Sequence, residues 1–383
     1  MIQRTDKLYY QDAYIKEFDA TVLIVTPLEN GFDVILDRTA FFPEEGGQSA
    51  DTGKIGEAQV LDAYERDNIV HHITDKPPLL GNNKCCLDFQ YRYEKMQLHT
   101  AEHILCGIFH KKYGYDNVGF HIGDDVVTFD INAVLSREIL DEVEDEANAV
   151  VYSNIKVDTF FPQADELDML NYRSKLDITD NVRIVQIGDV DACACCAPHV
   201  LSTGEIGLIK MLHFEKHRGG TRIWMSAGYR ALADYRNKYV NISKISAMLS
   251  VPCPDTAKTL EHYMTDTERL KLTLKDVKRK YAELLAETVL AVEGNAVYHF
   301  ADIDIDDLRN FCNKAVSRVN GILVGLCGEE GNLKYIIASN TKDLLPLIKD
   351  INLSLGGRGG GKSNMLQGTF TTTVEEIRGY FEA

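Results

Sequence analysis

The sequence predicts an α+β fold built from four successive parts. Three observations carry this. Residues 1–90 alternate apolar and polar positions with the two-residue period of strands. Residues 91–230 mix helical and strand periodicities, and a glycine-rich block with the same mixture closes the chain at 293–383. Between them, 231–292 is helical throughout, with a seam at heptad spacing. The expected architecture is an N-terminal β-barrel, an α/β core, a long coiled-coil-like helical linker and a small C-terminal α/β domain.

In the first part, Ala20-Thr-Val-Leu-Ile-Val25, Phe32-Asp-Val-Ile-Leu36 and Ile69-Val-His-His-Ile73 are separated by Gly, Asn and Asp. This is the pattern of a small barrel with tight turns. In the second part a helix is expected over 92–112 and a strand over Val126–Asp130. Ser136 is placed to cap an acidic helix running to about Asn154. Further strands are expected at Val182–Ile187 and near Gly207–Leu212. Past Gly228 the pattern turns helical, and Pro252-Cys-Pro254 breaks it. A long helix then starts near Asp255, with Leu260, Tyr263, Leu270, Leu274, Val277, Tyr281 and Leu284 repeating at three- and four-residue gaps around Thr267. A seam of this kind suits a hairpin of helices or a dimer contact. The last part holds a helix from Asp306 to about Ser317, strands at Gly321–Leu326 and Leu333–Ala338, a helix through Leu344–Lys349, and a glycine run.

Composition narrows the class. The chain has 383 residues, 45% of them hydrophobic, and its apolar runs are all shorter than a membrane span. Its N-terminus carries no apolar signal core. Nine cysteines at irregular spacings, two adjacent pairs among them, do not form a secreted disulfide framework and imply a reducing cytoplasm. The formal charge of −17 argues against uniform contact with nucleic acid. The charge is uneven, however: residues 205–245 hold eight Lys/Arg against three Asp/Glu. Lys271–Lys280 is also basic, so a local cationic path on an acidic body is compatible with the sequence.

Two half-sites carry metal-ligand chemistry. His99-Thr-Ala-Glu-His103 lies in an expected helix, which puts its histidines one turn apart on one face. Cys195-Cys-Ala-Pro-His199 follows an expected strand and offers a thiolate and an imidazole. Three nitrogens and one sulfur make a tetrahedral donor set suited to one Zn²⁺. Glu102, between the histidines, is expected to point off their face. Asp130 and Asp189 are candidates to orient ligand histidines, and His121 is a candidate cleft residue.

Four blocks in order resemble the free-standing alanyl-tRNA editing proteins, relatives of the editing and C-terminal parts of alanyl-tRNA synthetase. They are Thr39-Ala-Phe-Phe-Pro-Glu-Glu-Gly-Gly-Gln-Ser-Ala-Asp-Thr-Gly53, Gln97-Leu-His-Thr-Ala-Glu-His103, Cys195-Cys-Ala-Pro-His-Val-Leu-Ser-Thr-Gly-Glu-Ile-Gly207 and Gly356-Gly-Arg-Gly-Gly-Gly-Lys-Ser-Asn-Met365. The family has Gly-Gly-Thr between its Cys and His where this chain has Cys196-Ala197-Pro198. Family register favours Cys195 as the ligand, with Cys193 and Cys196 as weaker candidates.

The resemblance implies a trans-editing hydrolase in the cytoplasm that removes Ser, and potentially Gly, from mischarged tRNA for alanine. No room precedes residue 39 for an adenylation domain. It implies that 91–230 is the editing core, with zinc held by His99, His103, Cys195 and His199. It places Thr39, Gly46, Gly47 and Gln48 at the amino-acid pocket, and His121 is expected to line the cleft beside them. Lys216, Arg218, Arg222 and Arg230 are candidate phosphate contacts for the acceptor stem. Gly356, Gly357, Arg358, Gly359 and Lys362 are expected to meet tRNA in the C-terminal domain, and the resemblance implies a homodimer through 231–292 and that domain. Four protein ligands favour a zinc that orients substrate or expands its shell over a zinc hydroxide.

Rival readings have discriminating features. A metalloprotease needs Glu next to its first His, where Thr100 stands. Gly356–Ser363 fits the P-loop pattern, but a helix is expected before it and only twenty residues follow it, so a tight loop is expected instead. A zinc-stapled tRNA-binding module without turnover, and an editor of Ser-tRNA for threonine, remain the alternatives.

Overall fold

The computed structural model describes residues 4–123, 126–174 and 182–382. It is a mixed α+β chain that divides into two compact units, Met1–Ile242 and Ser243–Ala383.

Six strands of the first unit build a barrel: β1 (Glu17–Leu28), β2 (Gly31–Leu36), β3 (Gly53–Ile55), β4 (Ala58–Arg66), β5 (Ile69–Thr74) and β6 (Gly81–Leu87). They close in the order β1-β2-β5-β4-β3-β6, so no ladder edge is left open. Alternation does the sorting: Ala20, Val22, Val34, Leu36, Ile55, Val60 and Cys85 point inward around Phe41.

Helix α1 (Phe89–Tyr113) leaves the barrel directly. The Asp88 carboxylate caps it by accepting from the Tyr91 amide at 3.2 Å, and Gly114, in the left-handed region at φ 69°, ends it. His110, Lys111 and Lys112 in the last turn suit the negative end of the helix dipole. Between Met96 and Phe109 the helix is buried on every side, as befits a central helix.

The barrel is bolted to α1. Arg92, fully buried, pairs with Asp51 through Nε at 2.8 Å and also donates to the Ala13 and Ala40 carbonyls. Lys95 Nζ donates to the Ser49 and Ala50 carbonyls at 2.9 and 2.7 Å. These bonds hold the loop 42–51 against the helix.

The rest of the unit wraps α1. In chain order come β7 (Asn117–Ile122), β8 (Val127–Ile131), α2 (Arg137–Tyr152, with Ser136 accepting from the Ile139 amide), β9 (Val157–Phe160), β10 (Ile184–Ile187), β11 (Asp191–Ala194), β12 (Ile209–His217) and β13 (Gly220–Ala227). One sheet runs β12-β13-β8-β7 and another β9-β10-β11. Their inner faces share a core with α1 and α2 that includes Leu98, Leu105, Phe109, Phe129, Val143, Val185 and Ile223.

Helix α3 (Gly228–Leu249) follows, then α4 (Thr256–Thr288) in the second unit. The α4 seam residues Leu260, Tyr263, Leu270, Leu274, Val277, Tyr281 and Leu284 are exposed. The remaining elements are β14 (Ala296–Phe300), α5 (Ile305–Ala315), β15 (Leu323–Cys327), β16 (Leu333–Ala338), α6 (Ile348–Ser354), β17 (Arg358–Lys362), β18 (Met365–Phe370) and α7 (Val374–Phe381). The sheet order is β14-β15-β16-β18-β17, with α5 as the crossover between the parallel pair β14 and β15.

The glycine run corrects an expectation. It is not a tight loop: Arg358–Lys362 pairs in register with Met365–Thr369 as the edge strand of a hairpin. Gly359 lies against the Tyr335 hydroxyl, where a Cβ would collide. A strand at this place cannot be the loop that opens a phosphate-binding helix.

Candidate metal centre and cavity

The two half-sites meet. His99 and His103 descend from α1, while Cys195 and His199 arrive on the segment after β11. All four donor atoms lie within 4.8 Å of one another. Cys195 Sγ is 3.6 Å from His99 Nε2 and 3.4 Å from His199 Nε2. A tetrahedral zinc with one sulfur and three nitrogens has S···N edges of about 3.5 Å.

Each imidazole is oriented by its other nitrogen. His99 Nδ1 donates to Gln48 Oε1 at 2.9 Å. His103 Nδ1 donates to Asp191 Oδ2 at 3.1 Å. His199 Nδ1 donates to Thr100 Oγ1 at 3.0 Å, and that hydroxyl spends its own proton on the Met96 carbonyl at 2.8 Å. Every Nε2 is thus left as a lone-pair donor toward the shared centre, which is the arrangement metal-bound histidines adopt. Arg173 braces Asp191 from behind with two bonds of 2.7 and 2.8 Å. The residues present fit a zinc ion.

Electrostatics selects among the cysteines. Burial resists ionisation of Cys195, but His99, His103 and His199 outweigh it and hold the thiol well below its ordinary range. Burial pushes Cys193 up to about 11 and Cys196 further still, with Glu45 and the Cys195 thiolate adding to the latter. Burial lowers His199 to about 3, opposed by the thiolate. For His103, Cys193, Asp191 and Cys195 overcome burial and raise it well above its usual value. Cys196 is outside the four-donor cluster and lines the cavity beside Gly46, its Sγ 3.6 Å from where a Cβ on that glycine would stand.

The centre opens on a cavity of about 460 Å³. His99, His103 and Cys195 form one wall, with Glu45, Gly46, Glu102 and Phe120 beside them, and Tyr10, Phe161 and Arg183 stand among the other lining residues.

Several expected residues sit elsewhere. Gln48 is buried behind His99 and orients it instead of lining the cavity. Gly47, at φ 85°, packs on the Phe120 carbonyl. The Thr39 hydroxyl is used within the barrel: it accepts from the Phe41 amide at 3.1 Å and meets His72 Nε2 at 2.9 Å. His121 lies exposed on the opposite face of β7 from its neighbour Phe120, whose ring centroid is 4.8 Å from that of His99. Asp191 holds His103, while Asp130 pairs with Arg222 and Asp189 is exposed.

Glu102 also departs from expectation. It lines the cavity, 4.0 Å from His103 Nε2, with the Asn117 amide on its other oxygen. It is three residues from His99, and a three-residue step stays on one helical face.

Among the expected cationic contacts, Arg222 is paired with Asp130, and Arg230 with Glu94 and the Gly123 carbonyl. Lys216 and Arg218 are exposed at the tip of the β12–β13 hairpin. In the second unit Arg358 and Lys362 are exposed on β17.

Residues 182–223 match the family model described as the threonyl and alanyl tRNA synthetase second additional domain. The chain is 28% identical to the alanyl-tRNA editing protein AlaX-L of Pyrococcus horikoshii, over 97% of this chain and 96% of that one. It is 32% identical to the alanine–tRNA ligase of Halobacterium salinarum over 85% of this chain, and spans 38% of that longer protein. A solved C-Ala domain from Aquifex aeolicus alanyl-tRNA synthetase matches 24% of this chain and 87% of its own, at 17% identity and a TM-score of 0.20.

Proposed function

We propose that this chain, similar along nearly its whole length to an alanyl-tRNA editing protein, is a trans-editing deacylase of mischarged tRNA for alanine. Its substrate is an aminoacyl ester, Ser first and Gly second, on the 3′ end of the tRNA. One observation carries the reading: a zinc-type donor set of three imidazoles and one thiolate forms the wall of a cavity large enough for a small amino acid joined to a nucleoside.

His99, His103, Cys195 and His199 would hold the zinc, and Gln48, Asp191 and Thr100 fix the rings that bind it. When bound, the ion supplies a positive centre that polarises or positions the ester. The protein does the rest. Glu102 brings a carboxylate to the cavity beside His103, within reach of a water-derived proton. Phe120 covers His99 and excludes water from that side. Selection of serine needs hydrogen-bonding groups that alanine leaves unpaired, since an apolar pocket separates the two poorly.

The exposed α4 seam is read as the contact of a homodimer, which sedimentation of the full chain would test. Lys216, Arg218, Arg358 and Lys362 are read as phosphate contacts.

Deacylation of Ser-, Gly- and Ala-charged tRNA for alanine, beside Ser-charged tRNA for threonine, tests the function. The zinc-loaded chain should release Ser and spare Ala, and His103→Ala and Cys195→Ala should not turn over. Binding of tRNA with zinc in place and no release of any amino acid would favour the non-catalytic module.

A further inference from the structure

Among the residues lining the cavity is a cation that nothing so far explains. Arg183, at the start of β10, is 6% exposed. Its Nη1 donates to the Cys195 and Ala197 carbonyls at 2.9 and 2.8 Å. Its Nε is buried without a partner, and among the described residues no carboxylate pairs with the guanidinium. The Tyr10 ring lies 5.4 Å from it. Arginine keeps its charge in proteins, and the Cys195 thiolate is the negative group that favours this one most; its buried Nε still lacks an acceptor, which an incoming anion would supply. Among the described lining residues the other Lys or Arg is Lys7, which is taken by Glu65 at 2.7 Å.

The position is informative too. Lys7, Tyr10 and Phe161 line both this cavity and a second one of about 310 Å³, which also includes Arg4, Thr5 and Asn68. Tyr10 and Phe161 meet edge to face at 5.5 Å, so aromatic surface marks the junction. Arg183 lines the first cavity against the ring of Tyr10, one of the residues the two cavities share.

We infer that Arg183 receives the phosphodiester on the 5′ side of the terminal adenosine. The second cavity, past Tyr10 and Phe161, then seats the preceding nucleotide. The inference rests on the deacylase reading and deepens it. The guanidinium edge formed by Nε and Nη2 is the one that grips a phosphate with two parallel bonds. A single strand threaded past aromatic side chains with cations along its backbone is a common binding mode. Arg183 would thereby register the strand so that the ester, one ribose away, arrives at the histidine wall.

The test compares adenosine with adenosine 5′-(methyl phosphate), a singly charged diester, by calorimetry on the zinc-loaded chain. The wild type should bind the diester about ten- to a hundred-fold more tightly. Arg183→Met should bring the ratio close to one with zinc stoichiometry unchanged, and Arg183→Lys should retain part of it. Equal affinities in the wild type would overturn the inference whether or not the variants fold, as would a preference that survives in folded Arg183→Met. Hydrolysis of 3′-seryl-adenosine and its 5′-methyl-phosphate separates the two claims. If both are cleaved at the same rate, the phosphate role fails and the deacylase reading stands. If neither is cleaved while the diester preference holds, the reaction fails and the phosphate site stands.

Discussion

At the scale of single residues, three oxygens decide whether the imidazoles present the right nitrogen. Gln48, Thr100 and Asp191 each engage an Nδ1. Gln48→Ala, Thr100→Val and Asp191→Asn should each weaken zinc about 10- to 100-fold, read by competition with a coloured chelator. Thr100→Val keeps shape and changes only the hydrogen bond, so an unchanged affinity there would refute the role. The barrel has its own titrating residue. Burial holds His72 near 4 against an ordinary 6.5. The unfolded chain therefore binds the proton more readily, and stability present above about pH 6.5 is lost as pH falls toward 4. The loss attributable to His72 is about 3 kcal/mol. Urea denaturation of the wild type and His72→Gln across that range should show a shallower acid limb in the variant.

At the scale of elements, α1 is where most lines of force cross. Removing the charge of Arg92 leaves Asp51 buried and unpaired, and Arg92→Met should cost about 3–5 kcal/mol. Asp88→Ala, which strips only the cap, should cost about 1 kcal/mol in the same denaturation experiment. The helix itself was legible: Met96–Cys106 has one-turn spacing of its histidines, and the observed ends, Phe89 and Tyr113, lie within three residues of the expected ones. Strands Leu333–Ala338 and Val127–Ile131 were legible from their apolar runs. The strand Gly220–Ala227 was not, because Gly-Thr-Arg-Ile-Trp-Met-Ser-Ala mixes polar and apolar residues without a clean period, though it lies in the middle of its sheet. The glycine run misled for a related reason. Glycines signal turns locally, whereas here they let the edge of a sheet pass close to Tyr335. In the site, ligand types and spacing were readable because metal chemistry restricts both. The orienting groups were less so: Asp189 lies in the turn before β11 while Asp191 opens that strand against His103, and His121 differs from Phe120 only by the pleat of β7. Such one-residue phase choices need the register, which local sequence does not carry.

At the scale of the whole molecule, an acidic chain must approach an acidic polymer. With a net charge of −17, locally clustered exposed cations have to supply the contact. If four phosphates are met, tRNA affinity should fall about a hundred-fold between 50 and 200 mM salt. Reversing Lys216 or Arg218 should lower the slope by about one unit each, in filter-binding titrations at several salt concentrations. A slope indifferent to both would remove the hairpin tip from the interface. A last consequence belongs to Gln48. That side chain sits in the loop which Arg92 and Lys95 clamp to α1, yet it touches a ring of the proposed zinc centre. If the centre takes zinc as proposed, anything that pries the β-barrel off its neighbour should leak metal first, and retention of the ion becomes a gauge of whether that joint is closed.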